Sequence, residues 1–423
     1  MKLSDIANLS LLKAAWKSVR GKKSKKLAKF SRGIDEVTLS DFEKNQEANL
    51  ADLSRRLELG QYKPQPVKVN LEKKPPKPVK KNEPKPKDKY RMIAIPTIED
   101  RIVQRAILIL FEPYILPIIS NGVSYCGVKD EEDESISTCD AIRMVVHHVK
   151  DRYFWIFESD IVSFYDKIPK AAILARLRSV VPMEEDFYKL ISNYVYYEIG
   201  NPKEFVGKTD LPDKELGITQ GSSLSPLLAN LYLSDFDSVL KSAFGDRFIR
   251  YVDDFVVMCK TKEEAEIAKK LALQEIAKID LQLSPDGPDT KTYIKNLISS
   301  EAIDFLGVSI QRRCLIPKGG LEEAKKRMRE IIQWRDDKGR DQYKKSINRN
   351  GKIMDVTDQI EEKIRSWGEH YRFYHVEKLY TDLDKYIVER TMLMKDVRPI
   401  EPLKTIKLDP INSIEEWNSL FIS

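Results

Sequence analysis

Two apolar, aromatic stretches that carry acids at their ends constrain this chain more than any other feature. YFWIFESDIVSFY (Tyr153–Tyr165) reads as a buried strand that delivers Asp160 to its end. RFIRYVDDFVVMC (Arg247–Cys259) reads as two strands joined at Val252, Asp253 and Asp254. Two adjacent acids are a poor choice for a tight turn unless something needs their charge. Taken singly, each aspartate could be an ordinary turn residue. Taken together, three carboxylates at the ends of separate strands can converge on one point of an α+β fold. Like charges at such spacing are costly unless cations neutralise them. Mg²⁺, a hard ion that takes a few carboxylates plus phosphate oxygens, suits that role, and a pair of such ions serves in-line phosphoryl displacement.

Around these stretches the chain alternates helical and extended segments. The first thirty or so residues read as a basic helix with Leu11, Leu12, Ala15 and Val19 on one side. SRGIDEVTLSDFEKN predicts a turn and then a helix running to Leu59. The stretch Tyr62–Arg91 holds seven prolines, too many to pack as a core element; its ends read as pairing strands around an exposed basic loop. RMIAIP reads as a short strand, and TIEDRIVQRAILILFEPYI as a helix with Ile102, Ala106 and Leu110 on one face. Ser225-Pro226 predicts a helix start, the hydroxyl capping and the proline in the first turn. FLGVSI reads as a strand. Beyond Lys318 the chain reads as helical: Ile364, Trp367, Tyr371 and Tyr374 mark a buried face, with Lys363, Arg365, His370 and Arg372 opposite.

Charge is unevenly placed. The net charge is only +6, yet Leu11–Gly33 holds nine Lys or Arg and no acid, and Tyr62–Arg91 holds eleven against three acids. Such blocks suit a phosphate backbone, and they equally suit a solvated segment. The four cysteines (Cys126, Cys139, Cys259, Cys314) form no CxxC pair, so neither a disulfide scaffold nor a structural zinc site is indicated. The four histidines (His147, His148, His370, His375) lack ligand spacing and read as structural or surface residues. Asp5 and the early lysines argue against a secretory signal. The longest apolar run, Ala106–Ile119, is interrupted by Glu112, Pro113 and Pro117, which predicts no membrane span. A cytoplasmic location is therefore expected.

The acidic stretches carry a family resemblance. YVDDF (Tyr251–Phe255) resembles the YxDD box of reverse transcriptases, SDIVSFYDKIP (Ser159–Pro169) resembles their first metal-binding motif, and GITQGSSLSPLLANLYL (Gly217–Leu233) resembles their nucleotide-positioning motif. GIDEVTLSDFE, LELGQYKPQPVK, RMIAIPTIEDRIVQRAI and FLG match further blocks in order, and the likeness is strongest to the group II intron lineage. It implies a right-hand polymerase with fingers, an antiparallel palm sheet and a helical thumb. The expected divisions are a basic extension at 1–32, fingers at 33–158 with the basic loop at 63–90, palm at 159–312, thumb at 313–390 and a tail at 391–423.

The resemblance also implies roles. Asp160 and Asp253 match the main metal ligands, Asp254 assists, and the carbonyl of Ile161 completes a site for two Mg²⁺ ions, with Mn²⁺ able to substitute. Tyr165 stands where the family keeps a bulky gate against the ribose 2′-OH. Gln220 matches the glutamine at the incoming nucleotide and template. Arg91 matches the arginine on the triphosphate, whose planar fork suits phosphate oxygens. Lys85, Lys87 and Lys89 are all in range to partner it, and Lys89 is preferred. Lys291 matches the lysine that protonates pyrophosphate.

Several positions depart from the family. Thr219 replaces the proline of the usual PQG, and Val252 fills the variable YxDD position, which should touch the primer end. SYCGVKDEEDESIS replaces a block that handles template and adds an acidic run over 130–135. Retron VTG and NAxxH signatures are absent, and no HNH-like cluster follows Tyr386. The pattern resembles the stand-alone defence-associated reverse transcriptases. The resulting expectation is an RNA-directed DNA polymerase that makes cDNA from a dedicated noncoding RNA and dNTPs, in antiphage defence. A splicing cofactor (maturase) and an RNA-directed RNA polymerase are the alternatives.

Overall fold

The computed structural model describes residues 1–21, 32–73, 89–126, 137–287, 291–299, 302–312, 315–332, 334–335, 341–342, 356–372, 374–391 and single positions at 402, 403, 406, 408 and 416. The acidic run, most of the basic Pro-rich loop with Lys85 and Lys87, and most of the tail lie outside them. The chain is α+β and forms two compact units. One comprises Met1–Ile136, Asp160–Gly245 and Lys270–Pro285; the other comprises Ser137–Ser159, Asp246–Lys269 and Asp286–Ser423.

The first unit is mostly helical. Its N-terminal segment is two helices, Leu3–Ala7 and Leu9–Arg20, rather than one. The break falls at Asn8, whose side chain accepts from the amides of Ser10 and Leu11 and so starts the second helix. Leu12, Ala15 and Trp16 form the buried face, while Leu11 and Val19 are only partly covered. The next predicted helix is likewise split at Asn45, into Leu39–Lys44 and Gln46–Glu58. Thr38 opens it with a capping box to Asp41.

The expected ribbon forms: β1 (Lys68–Lys73) pairs antiparallel with β2 (Tyr90–Ile95). The helix that follows runs unbroken from Ile98 to Ile119 through Pro113 and Pro117. The prolines do not end it because Phe111, Ile115 and Ile119 are fully buried on both sides of them. By length and composition this is the one helix among the described residues apolar enough to cross a membrane. Here it is a core helix, with Leu9–Arg20 and Ser225–Phe244 packed against it. Asp100, buried in its first turn, binds the hydroxyls of Tyr62 (2.6 Å), Thr97 (2.6 Å) and Tyr194 (3.2 Å). The helix Ser225–Phe244 starts where expected, but Leu224 is its cap residue and the Ser225 hydroxyl lies 3.3 Å from that of Thr219 instead of capping.

The second unit is built on a four-stranded sheet. Its strands are β3 (Trp155–Asp160), β4 (Phe248–Tyr251), β5 (Asp254–Cys259) and β6 (Tyr293–Asn296), in the order β4-β5-β3-β6. The chain leaves this unit at the last residue of β3. β4 pairs antiparallel with β5, and β3 with β6. The helix Thr138–Lys150 packs on β4. FLGVSI is a hairpin and not a single strand. β7 (Ile303–Phe305) turns through Leu306 and Gly307, both at positive φ, into β8 (Val308–Ile310), and β9 (Leu315–Pro317) completes the sheet. Two residues at positive φ are what a tight hairpin turn of matching twist requires. A short ribbon of β10 (Trp334–Arg335) and β11 (Asp341–Gln342) follows. The C-terminal part is helical, with Gly320–Ile332, Val356–Tyr371 and Glu377–Thr391. Trp367 and Tyr371 are buried on the predicted face; Tyr374 is buried just beyond the helix end.

Candidate active site

The acidic hairpin is made by packing on both sides of its tip. β4 and β5 are buried nearly throughout, and the pair Tyr251–Asp254 closes a two-residue turn of Val252 and Asp253. Val252 adopts φ +59°. A β-branched residue rarely takes that conformation, which glycine usually supplies at the first turn position; it costs about 1–3 kcal/mol. The compensation is Arg250, fully buried, whose guanidinium donates to the Val252 carbonyl at 2.8 Å. The turn therefore holds Asp253 at the tip and Asp254 at the first position of β5, both partly buried.

The Lys291 ammonium forms an ion pair with the Asp254 carboxylate. Glu158, at the heart of β3, is buried and accepts from the Tyr293 hydroxyl. Burial pushes its pKa up to about 8; the Tyr293 hydrogen bond opposes this and the charge of Asp254 adds to it. Edge-on packing of the Phe157 ring against Phe255, 5.8 Å between centroids, aligns that half of β3 with the start of β5.

The first unit carries the other candidate residues. The Asp160 carboxylate accepts from the Ser284 hydroxyl, and its carbonyl accepts from the Ser284 amide at 2.9 Å. Ile161 is buried and bridges Leu283. After Ser163, in the left-handed region at φ +48°, a helical turn Phe164–Lys167 presents Tyr165, partly buried. The loop of Gly217–Gln220 is tied to that turn: the Ile218 amide donates to the Tyr165 carbonyl at 2.9 Å, and the Gly217 amide to that of Ile168 at 2.8 Å.

The same loop is tied to β2, because the Ala94 amide donates to the Gln220 carbonyl at 2.7 Å. Gly221 follows at φ +117°, where an added Cβ would lie 2.2 Å from the Ala94 carbonyl oxygen; only glycine allows that approach. The Gln220 side-chain amide reaches Asp166 at 3.5 Å. A cavity of about 60 Å³ opens between these segments, lined by Met92, Ala94, Asp166, Tyr197 and Gln220 among others.

Tyr165 and Gln220 are thus brought together in one unit with Asp160 and Ile161, and Asp253, Asp254 and Lys291 in the other. Arg91 is exposed on β2 opposite Glu72. Strand alternation puts it on the face away from Met92 and Ala94, which line the Gln220 cavity. Lys89 is exposed immediately before β2. The sequence reading missed Arg250, Glu158 and Ser284. A charged residue inside an otherwise apolar strand was a legible signal for the first two; nothing near Ser284 marked it.

The carboxylates fit a divalent cation. Asp254 already attracts a cationic side chain, and the donor set of aspartate oxygens is the hard type that Mg²⁺ prefers.

The reverse transcriptase (RNA-dependent DNA polymerase) family model matches residues 79–310, more than half of the 423 residues. The chain belongs to that family. Relatives of this reverse transcriptase include the protein YkfC of Escherichia coli, 26% identical over 279 residues, and the group II intron-encoded protein LtrA of Lactococcus lactis, 23% identical over 356. These alignments cover 56% and 67% of this chain, and 66% and 52% of the relatives. The chain thus spans less than two thirds of either one's length. Similar solved structures include telomerase from Candida albicans in complex with a fragment of telomeric RNA (11% identity, TM-score 0.40, 82% of this chain and 60% of that one). Apo telomerase from Candida tropicalis is another (14% identity, TM-score 0.36, 66% and 54%). The family membership bears out the α+β polymerase class and the likeness to the group II intron lineage.

Proposed function

We propose that this reverse transcriptase is an active RNA-directed DNA polymerase whose catalytic acids are Asp160, Asp253 and Asp254. One observation carries the reading: in the sheet, β3, which ends on Asp160, neighbours β5, which begins on Asp254. Asp160 and Asp253 hold the ions, with Asp254 and the Ile161 carbonyl assisting. Two Mg²⁺ ions bound there supply activation of the primer 3′ hydroxyl and charge neutralisation at the leaving pyrophosphate. The chain's own groups do the rest. Tyr165 occupies the space a ribose 2′-OH would need. Gln220, fixed by its carbonyl to β2, orients the nucleotide. Lys291, already drawn to Asp254, is placed to give a proton to pyrophosphate. Arg91 and Lys89 offer exposed cations to the triphosphate.

The template is RNA, and the basic segments favour a structured, dedicated noncoding RNA held by its phosphates. An antiphage defence role rests on the altered template block and the added basic segments. Two readouts test the proposal. The purified chain should carry RNA and incorporate dNTPs into DNA copied from it. Preferential use of NTPs would favour an RNA-directed RNA polymerase, and intron splicing without any nucleotide incorporation would favour a maturase.

A further inference from the structure

The helix Thr138–Lys150 ends in a group that the polymerase reading leaves unused. His147, His148 and Asp151 each offer one ligand atom, and the three atoms lie within 4.8 Å of one another. The spacing escapes a search for paired ligands along the sequence because His147 and Asp151 meet across one helical turn, while His148 reaches them from the flank. His147 Nε2 is 3.8 Å from the Asp151 carboxylate, and both side chains are about half exposed. The His147 and His148 rings stand edge to face, 5.1 Å apart.

His148 is different in kind. It is 3% exposed, with the Tyr153 ring packed against it at 5.7 Å. Its Nε2 lies 3.1 Å from the Asp246 carbonyl oxygen, which can only accept, so Nε2 carries the proton. That fixes the tautomer. In the neutral ring Nδ1 then holds a bare lone pair, and Nδ1 is buried without a hydrogen-bond partner among the described residues. A buried polar atom left unsatisfied calls for an explanation, and an ion is one of the few available. An imidazole whose other nitrogen donates to a backbone carbonyl is also how proteins orient metal-binding histidines.

We propose that His147, His148 and Asp151 form a site for a borderline transition metal such as Zn²⁺, bound through two imidazole nitrogens and one carboxylate oxygen. Such donors favour Zn²⁺ over Mg²⁺. Ligand bonds of roughly 2.0–2.2 Å bring donor atoms closer together than they lie here, and rotation of the two exposed side chains closes the difference. The helix C-terminus adds a favourable field for a cation. The site would clamp this helix to the Asp246–Arg247 segment that leads into β4. It does not depend on the role of the aspartates.

The test uses the full-length chain, stripped with a chelator and kept in excess Mg²⁺. Zn²⁺ is titrated for stoichiometry and melting temperature, and Co²⁺ for the visible bands of nitrogen ligation. The expected result is one Zn²⁺ per chain and a higher melting temperature on binding. In His147→Ala and in Asp151→Asn, both solvent-exposed changes, affinity should fall about 10-fold or more. Absence of zinc binding in the unaltered chain overturns the proposal, as does affinity that either variant leaves unchanged.

Discussion

Val252 is held in a conformation that its own side chain disfavours, and Arg250 is the residue that holds it. Replacing Arg250 by Met removes a charged donor from the Val252 carbonyl and leaves that oxygen to be satisfied some other way. Unmade hydrogen bonds of this type cost about 1–3 kcal/mol. Urea denaturation of Arg250→Met should report a loss of that size, with polymerase activity falling further because the turn carrying Asp253 relaxes. Wild-type activity in a destabilised Arg250→Met would separate the strain from function. Tyr165 makes a second residue-scale prediction. With the ring removed in Tyr165→Ala, discrimination between dNTPs and NTPs should shrink by ~100-fold, the scale on which a pocket rejects one added hydroxyl. Competition between dGTP and GTP in primer extension measures it, and unchanged selectivity would move the gate elsewhere.

At the scale of elements, the helix Ile98–Ile119 is anchored by Asp100, whose carboxyl is raised above its ordinary 3.8 by burial, against the lowering effect of its hydroxyl donors. A carboxyl with a raised folded pKa contributes stability below its unfolded pKa and loses it as pH rises through the folded value. The stability of the wild type relative to Asp100→Asn should therefore decline as pH climbs from about 3.8 until the folded carboxyl has ionised. Denaturation curves at stepped pH give this difference directly, and a flat or rising difference would contradict the sign.

Elements were legible where a pattern acts locally. The strand ending at Asp160, the β4–β5 hairpin and the β1–β2 ribbon follow from alternation and turn chemistry. The split at Asn8 was harder, because its capping side chain competes with helix continuation and periodicity does not weigh the two. Pro113 and Pro117 interrupt the apolar run but not the helix, because burial of Phe111, Ile115 and Ile119 outweighs what each proline costs. The Leu306–Gly307 turn was hidden because only the glycine signals it. Of the candidate site, the acids and the Gln220 loop stand out in sequence by type and order. Ser284 and the His147–Asp151 group emerge only when distant or flank-facing residues are brought side by side.

For the whole molecule, two compact units divide the proposed catalytic residues between them, with Asp160, Tyr165 and Gln220 in one and the acidic hairpin in the other. The proposed function needs these acids to serve two-metal polymerase chemistry on an RNA template. Substituting Asp253 by Asn changes one charge while keeping size and turn geometry. RNA binding, driven by the basic segments, should persist and weaken with added salt as phosphate contacts do. The decisive measurement is DNA synthesis from dNTPs on bound RNA by Asp253→Asn in saturating Mg²⁺. Product should fall to background with RNA still bound; normal synthesis by that variant would rule out Asp253 as a metal ligand of the polymerase.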